Sequence, residues 1–393
     1  MQSQSHGRQR ITPEMIAAMK AFATASIAAE GTPGMVIGLT DRQGLVWEGA
    51  FGYRNLDART PMTTDTLLET GSIGKSFTAA IALQLAEEGR LDLHAPVTAA
   101  LPWFEVQSAY APITAHDLLS HTSGLIGGSD FVPDPRLEVW NLRNTSTGSA
   151  PGTYFNYSNV GYKLLGLMLE EITGQTYAQL VRERILAHLG VSNTTPVITH
   201  HWRSRMAEPY ELLFDDRPTA GSRILAPATW FQTNTADGCI ASTAADLAAW
   251  MRMLLNRGQT ATGRVLSEDA FQRMITPVAT RYKAATDTME EYGYGISARE
   301  VDDTLVIGHS GGMVGYSSHM TGDLDAGLGA VGIMNGPGEI HAVVTYALQL
   351  MQATFQMLRP TLNLSKGVYM VDRAWDDEFL DGFFALESWG NDN

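Results

Sequence analysis

The chain of 393 residues has one cysteine, Cys239, so no intrachain disulfide can staple it and its core must hold the fold. Taken alone, Cys239 reads as a small buried apolar side chain. No apolar run approaches the roughly 20 residues that a membrane helix requires, so no membrane partner is expected. Positive charge is scarce. There are 27 Lys and Arg against 42 Asp and Glu, a formal charge of -15 that repels polyanions, and no basic patch offsets it. A nucleic-acid partner is therefore not expected. His200-His201 and the scattered acids lack H-E-x-x-H or any comparable ligand spacing, and no Gly-rich phosphate loop occurs, so neither a metal nor another cofactor is expected. Met1 to Arg10 is polar and basic without an apolar run behind it. The expectation is a cytoplasmic protein, or a periplasmic or secreted one if a leader has been removed.

What is present is the balance of a globular protein, 44% hydrophobic and 18% charged, with length for two domains. Thr12-Pro13 reads as a cap and first helical residue. Met15, Ile16, Met19, Phe22 and Ile27 then recur at helical spacing up to Gly31. Met35 to Leu39 and Leu45 to Phe51 flank Asp41-Arg42-Gln43-Gly44 as a β-hairpin. Helical patterning follows over Ser72 to Glu88, Thr114 to Ser120, Asn159 to Thr173, Tyr177 to Leu189, Ala244 to Leu255 and Ser267 to Met274. Strand-like segments return at Tyr292 to Ala298, Thr304 to Gly308, Val314 to Met320 and Gly327 to Met334, and Ile340 to Phe355 carries a closing amphipathic helix. Strands drawn from both ends of the chain, with helices between them, indicate an α/β (α+β) protein. Residues 1–64 with 282–360 are expected to form a discontinuous α/β domain facing a helical domain of residues 65–281 across a cleft. Residues 361–393 are acidic and aromatic, either a docked tail or the start of a truncated module.

Thr70-Gly71-Ser72-Ile73-Gly74-Lys75 lies where an extended segment enters a helix whose apolar positions Ile73, Phe77, Ile81 and Leu85 recur every fourth residue. Ser72 and Lys75, one turn apart, share a face. An alcohol is a weak nucleophile at neutral pH and needs a base within hydrogen-bond reach, which a buried lysine can supply. A helix N-terminus adds a positive dipole and free N–H groups near a developing oxyanion. Alone, S-x-x-K is a short string, and most such pairs are a capping serine beside a solvated lysine.

The continuation Phe77-Thr78-Ala79-Ala80 through Gly89-Arg90-Leu91-Asp92-Leu93 resembles the serine β-lactamase and DD-peptidase family, in which S-x-x-K holds the nucleophile. The resemblance runs in order from about Met35 to Met334. It implies that fold: an antiparallel sheet flanked by N- and C-terminal helices, with a mainly helical insertion. Tyr157-Ser158-Asn159 matches the family's second motif in its Y-x-N form, similar to class C β-lactamases, D-aminopeptidases and β-lactamase-like esterases. The resemblance gives Tyr157 a proton-shuttling role and has Asn159 hold Lys75 and the substrate carbonyl. His309-Ser310-Gly311-Gly312 stands where many relatives carry K-T-G. There His309 would line the site, Gly311 would admit substrate to the strand edge, and the Gly312 N–H would join that of Ser72 as an oxyanion hole. Leu118 to Leu125, with His121, and Ser242 to Leu247 resemble flanking family segments of structural kind.

The resemblance thus implies a serine hydrolase that passes an ester, amide or short-peptide acyl group through Ser72. With histidine in place of lysine, an esterase or D-peptidase is favoured over a β-lactamase or D-Ala-D-Ala carboxypeptidase. An acyltransferase or cyclase uses the same motifs, and a β-lactam-binding protein without turnover is the alternative from another class. Oligomeric state is not readable. Gly308-His309-Ser310-Gly311-Gly312 also fits the G-x-S-x-G elbow of α/β-hydrolases, with Asp323 or Asp325 and His341 following in order. That elbow must lead into a helix, and the residues after it are strand-like.

Overall fold

The structure, a computed structural model, describes residues 11–129, 132, 134–214, 224–283, 288–301 and 304–358. Met1 to Arg10 and the acidic segment 361–393 lie outside them. Local chemistry sets the first elements. Thr12 Oγ1 accepts the Met15 N–H, Pro13 takes the first helical position, and Gly31 ends α1 (Pro13–Glu30) at φ 69°. Asp41 Oδ1 then accepts the N–H groups of Gln43 (2.7 Å) and Gly44 (2.8 Å), turning β1 (Gly34–Asp41) back into β2 (Leu45–Asn55).

The remaining strands are β3 (Thr60–Pro61), β4 (Leu68–Glu69), β5 (Tyr210–Leu212), β6 (Leu225–Pro227), β7 (Ala241–Ser242), β8 (Ala279–Lys283), β9 (Thr288–Tyr292), β10 (Ser297–Val301), β11 (Thr304–Met313), β12 (Tyr316–Asp323) and β13 (Leu328–Met334). Among the described residues, nine of the thirteen strands, β1 and β2 included, form one antiparallel sheet in the order β3-β2-β1-β13-β12-β11-β10-β9-β8. The first strands of the chain thereby lie beside its last.

The helices that follow α1 are α2 (Gly74–Glu87), α3 (Val97–Ala100), α4 (Ala115–Leu119), α5 (Pro135–Asn141), α6 (Asn159–Thr173), α7 (Tyr177–Val181), α8 (Ala187–Leu189), α9 (Ala244–Leu255), α10 (Glu268–Ile275) and α11 (Ile340–Leu358). A π-helical turn over Arg182–Leu186 joins α7 to α8. The sheet is covered on both faces. A Cβ on Gly329 would lie 2.6 Å from Met251 of α9, whereas one on Gly332 would lie 2.6 Å from Val344 of α11. Phe22 of α1 packs on Tyr346 of α11 with ring centroids 4.3 Å apart. Residues up to Ala353 make one compact unit; a second begins at Thr354, of which the end of α11 is described.

The core centres on α2, in which residues Gly74 to Leu83 are all buried. Trp250 of α9 is fully buried, stacks on Phe77 (4.0 Å) and donates its indole N–H to Ser76 Oγ (3.0 Å). Burying an indole of this size contributes at most about 4–6 kcal/mol.

Three departures from the sequence reading have local causes. The helix expected from Ser72 starts at Gly74, because Gly71–Ile73 forms a tighter 3-10 turn that carries Ser72. The strand expected over Tyr292 to Ala298 is two strands, β9 and β10, reversed through Gly293 and Gly295 (φ 67°). Between the helical segments read at Thr114 to Ser120 and at Asn159 to Thr173, where no helix was expected, Asp134 caps and Pro135 starts the short helix α5.

Candidate active site

Three backbone segments converge on Ser72. Gly71 takes φ 53°, and a Cβ there would lie 2.6 Å from Gly312 O. A Cβ on Gly238 would meet Gly71 C at 2.9 Å, and one on Gly311 would sit 2.0 Å from Thr70 O and 3.0 Å from Ser72 N. Only glycine allows the Ser72 turn, strand β11 and the 237–239 segment to touch main chain to main chain. Thr70 fixes the turn from both sides: its N–H donates to Ile240 O (2.7 Å) and its carbonyl accepts from Ser318 Oγ (2.6 Å).

Lys75 lies beneath this turn, fully buried. Its Nζ is in hydrogen-bond contact with Ser72 Oγ (3.0 Å), Asn159 Oδ1 (2.7 Å) and the Asp237 carbonyl (2.7 Å). The same nitrogen lies 4.9 Å from the Tyr157 ring centroid. Ser72, Tyr157, Asn159 and Gly311 are partly exposed and Gly312 is exposed, so solvent reaches these residues and does not reach Lys75.

Tyr157 and Asn159 are held by capping. Ser158 Oγ accepts the Gly161 N–H at the start of α6 and donates to Ile126 O, and the Asn159 N–H donates to Gly127 O (2.5 Å). His121, at φ 58°, accepts the Ser158 N–H on Nδ1 (3.0 Å). The structural part expected of the segment that carries that histidine includes this bond.

His309 stands across from Tyr157, ring centroids 6.4 Å apart. Its Nδ1–H donates to its neighbour's carbonyl, Ser310 O (2.6 Å), so Nε2 is the acceptor for the Tyr292 hydroxyl (2.9 Å). Burial, and then the charge of Lys75, lower its pKa to about 3, leaving it neutral at physiological pH. The Tyr292 phenol is pushed well up by burial and remains a donor. All seven residues singled out from the sequence, Ser72, Lys75, Tyr157, Asn159, His309, Gly311 and Gly312, thus lie around one point.

Ser310 does not form a nucleophile elbow. It lies mid-strand in β11, opposite His319, and its Oγ is 2.9 Å from His319 Nδ1. His341 packs on that histidine, with ring centroids 4.1 Å apart and the planes tilted by 36°, and Asp323 Oδ2 accepts from Gln352 instead of bonding an imidazole. Strand β11 turns into strand β12, so the strand-to-helix geometry of that motif is absent.

Sequence reasoning missed Asp237, whose contribution is a backbone carbonyl with no side-chain signature. It also missed Lys163, whose buried Nζ bonds Glu138 Oε2 (2.5 Å), Ser129 O (2.7 Å) and Val132 O (3.1 Å) and stands 3.9 Å from Asp237 Oδ2. The signal was a lysine on an otherwise apolar stretch of α6. Among the described residues no three His, Cys, Asp or Glu side chains cluster to hold a metal, and no helix is long and apolar enough to cross a membrane.

Comparison with known proteins agrees with this geometry. "Penicillin-binding protein 4" of Amycolatopsis lactamdurans is 30% identical over 303 residues, covering 74% of this chain and 77% of that protein. The structure of the octameric penicillin-binding protein homologue from Pyrococcus abyssi superposes with a TM-score of 0.74 at 26% identity, over 86% of this chain and 77% of the other. A D-stereospecific amidohydrolase from Streptomyces sp. does so with a TM-score of 0.67 at 27% identity, over 84% and 98%. The sequence pattern of the family described as beta-lactamase matches residues 17–353, and the chain belongs to that family.

Proposed function

We propose that this protein is a serine hydrolase that cleaves esters or amides of uncharged acyl groups through an acyl-enzyme on Ser72. The carrying observation is the contact of the partly exposed Ser72 Oγ with the buried Lys75 Nζ, 3.0 Å away. Ser72 Oγ attacks the carbonyl carbon as its proton is relayed along the Lys75 and Tyr157 side chains. The new C–O bond forms as the bond to the alcohol or amine leaving group breaks, and that group takes a proton through Tyr157. The N–H groups of Ser72 and Gly312 receive the oxyanion, an arrangement that the contact of β11 with the Ser72 turn supports. Water then attacks the acyl carbon, and its proton returns to Ser72 Oγ as the acid leaves.

His309 argues for the ester and amide reading over β-lactam or D-Ala-D-Ala recognition. A neutral imidazole with both nitrogens bonded supplies no cation on β11 for a carboxylate. The similarity to an amidohydrolase supports amide substrates too. The test is a panel of p-nitrophenyl esters, D- and L-aminoacyl amides and a chromogenic cephalosporin. Sustained ester or amide turnover that Ser72→Ala abolishes is expected. A stoichiometric burst without turnover, or preference for the carboxylate-bearing cephalosporin, would overturn the reading.

A further inference from the structure

We propose that His121 is a positioning residue of this site: it sets the ring plane of Tyr157 and the backbone turn that presents Tyr157 and Asn159 to Lys75. The inference rests on the proposed function and assigns a part to a side chain that touches neither Ser72 nor Lys75 in a hydrogen bond.

Four observations carry it. First, His121 is fully buried at φ 58°, a backbone region that non-glycine residues rarely enter and that the surroundings must hold in place. Second, it is bonded twice to the Tyr157 segment: its carbonyl accepts the Asn156 N–H (2.7 Å) and its Nδ1 accepts the Ser158 N–H (3.0 Å). These bonds bracket Tyr157 on either side. Because Ser158 is the donor, Nδ1 carries no proton and the tautomer is fixed with hydrogen on Nε2. Third, the imidazole packs on the Tyr157 ring, with centroids 4.1 Å apart and the planes tilted by 32°. Fourth, the other sides of the imidazole are walled by Phe155 (5.6 Å), Tyr162 (5.0 Å) and Tyr292 (5.2 Å), so the ring cannot rotate without displacing Tyr157.

The charge state agrees. Burial, and then the nearby Lys75, hold His121 well below the usual imidazole range, so the acceptor on Nδ1 persists through physiological pH. A protonated His121 would lose that acceptor and place a second cation near Lys75. A purely space-filling residue would need no acceptor, and a purely hydrogen-bonding one would need no ring.

Two substitutions separate these duties. In His121→Asn, an amide oxygen can replace the Nδ1 acceptor and asparagine tolerates the left-handed backbone, but the ring face is lost. In His121→Phe the ring remains and the Ser158 N–H is left without its acceptor. Each variant is assayed on the best p-nitrophenyl ester, with kcat expressed per Ser72 titratable by a fluorophosphonate, so that unfolded protein does not count. Both are expected to lower kcat on the order of 10- to 100-fold, with KM changed less than about twofold. In a Tyr157→Phe background either change should add little, since His121 acts through that ring. An unchanged kcat per titratable site, a change confined to KM, or full additivity with Tyr157→Phe would overturn the inference. Absence of ester turnover in the unmutated protein would instead sink the proposed function.

Discussion

Glu69 immediately precedes the Thr70 carbonyl that braces the nucleophile turn, and replacing it with glutamine should change how stability responds to pH. The residue is 6% exposed, on β4, and burial raises its carboxyl from the ordinary 4.5 to about 8, against a smaller opposing effect of Arg203. At pH 7 the folded chain keeps this proton and the unfolded chain does not. Its contribution is therefore fully present below about pH 4.5 and is lost as pH rises through about 8. Within that window the slope approaches 1.36 kcal/mol per pH unit, or about 2.7 kcal/mol between pH 5 and 7 as an upper bound. His121 and His309, whose pKa values are lowered, act oppositely, losing stability as pH falls below about 6.5, but they are common to both proteins and cancel in the difference. Urea melts of the parent and Glu69→Gln at pH 5, 6, 7 and 8 measure that difference directly. The variant should gain steadily on the parent as pH rises, by on the order of 2 kcal/mol from pH 5 to 7. Parallel curves would refute the claim that a neutral carboxyl is buried beside the nucleophile turn.

Lys163→Met should cost about 3–5 kcal/mol in the same melts, because Glu138 and Asp237 would lose the cation they face, and adding Glu138→Leu should recover part of it. Gly311→Ala should lower kcat/KM by at least about 100-fold, since the new Cβ would sit 2.0 Å from Thr70 O and push β11 off the Ser72 turn; near-parental turnover would mean that β11 can move without penalty. His309→Gln should leave the pH profile of kcat/KM between 5 and 8 without a lost inflection, because the imidazole it replaces is already neutral there.

The elements that the sequence made legible are those with local signals. Thr12-Pro13 and Gly31 bound α1, the Asp41 side chain closes the first hairpin, and Ser158 caps α6, each by a bond within three or four residues. Ser72 and Lys75 were legible from their one-turn spacing, and Tyr157 and Asn159 through the resemblance of Tyr157-Ser158-Asn159 to the family's second motif. Long-range contacts left no such trace. The Asp237 carbonyl that holds Lys75 has no residue code, and the approach of Gly71 to Gly312 and Gly238 appears only once distant segments meet. The β8–β9 hairpin was obscured because its residues alternate weakly and Tyr282 (60% exposed) and Met289 (63%) face solvent. His309 was visible as a departure from K-T-G, but its neutrality follows from burial and from the charge of Lys75, neither of which can be read from spacing.

The central claim is that Ser72 is the atom that takes the acyl group, and trapping that adduct tests it most directly. The protein would be mixed with a slowly deacylating ester, or with a fluorophosphonate, then digested and sequenced by mass spectrometry. A single adduct on Ser72 is expected, absent from Ser72→Ala and formed far more slowly in Lys75→Met. An adduct on Ser310 with Ser72 unmodified, or turnover with no adduct on Ser72, would contradict the account.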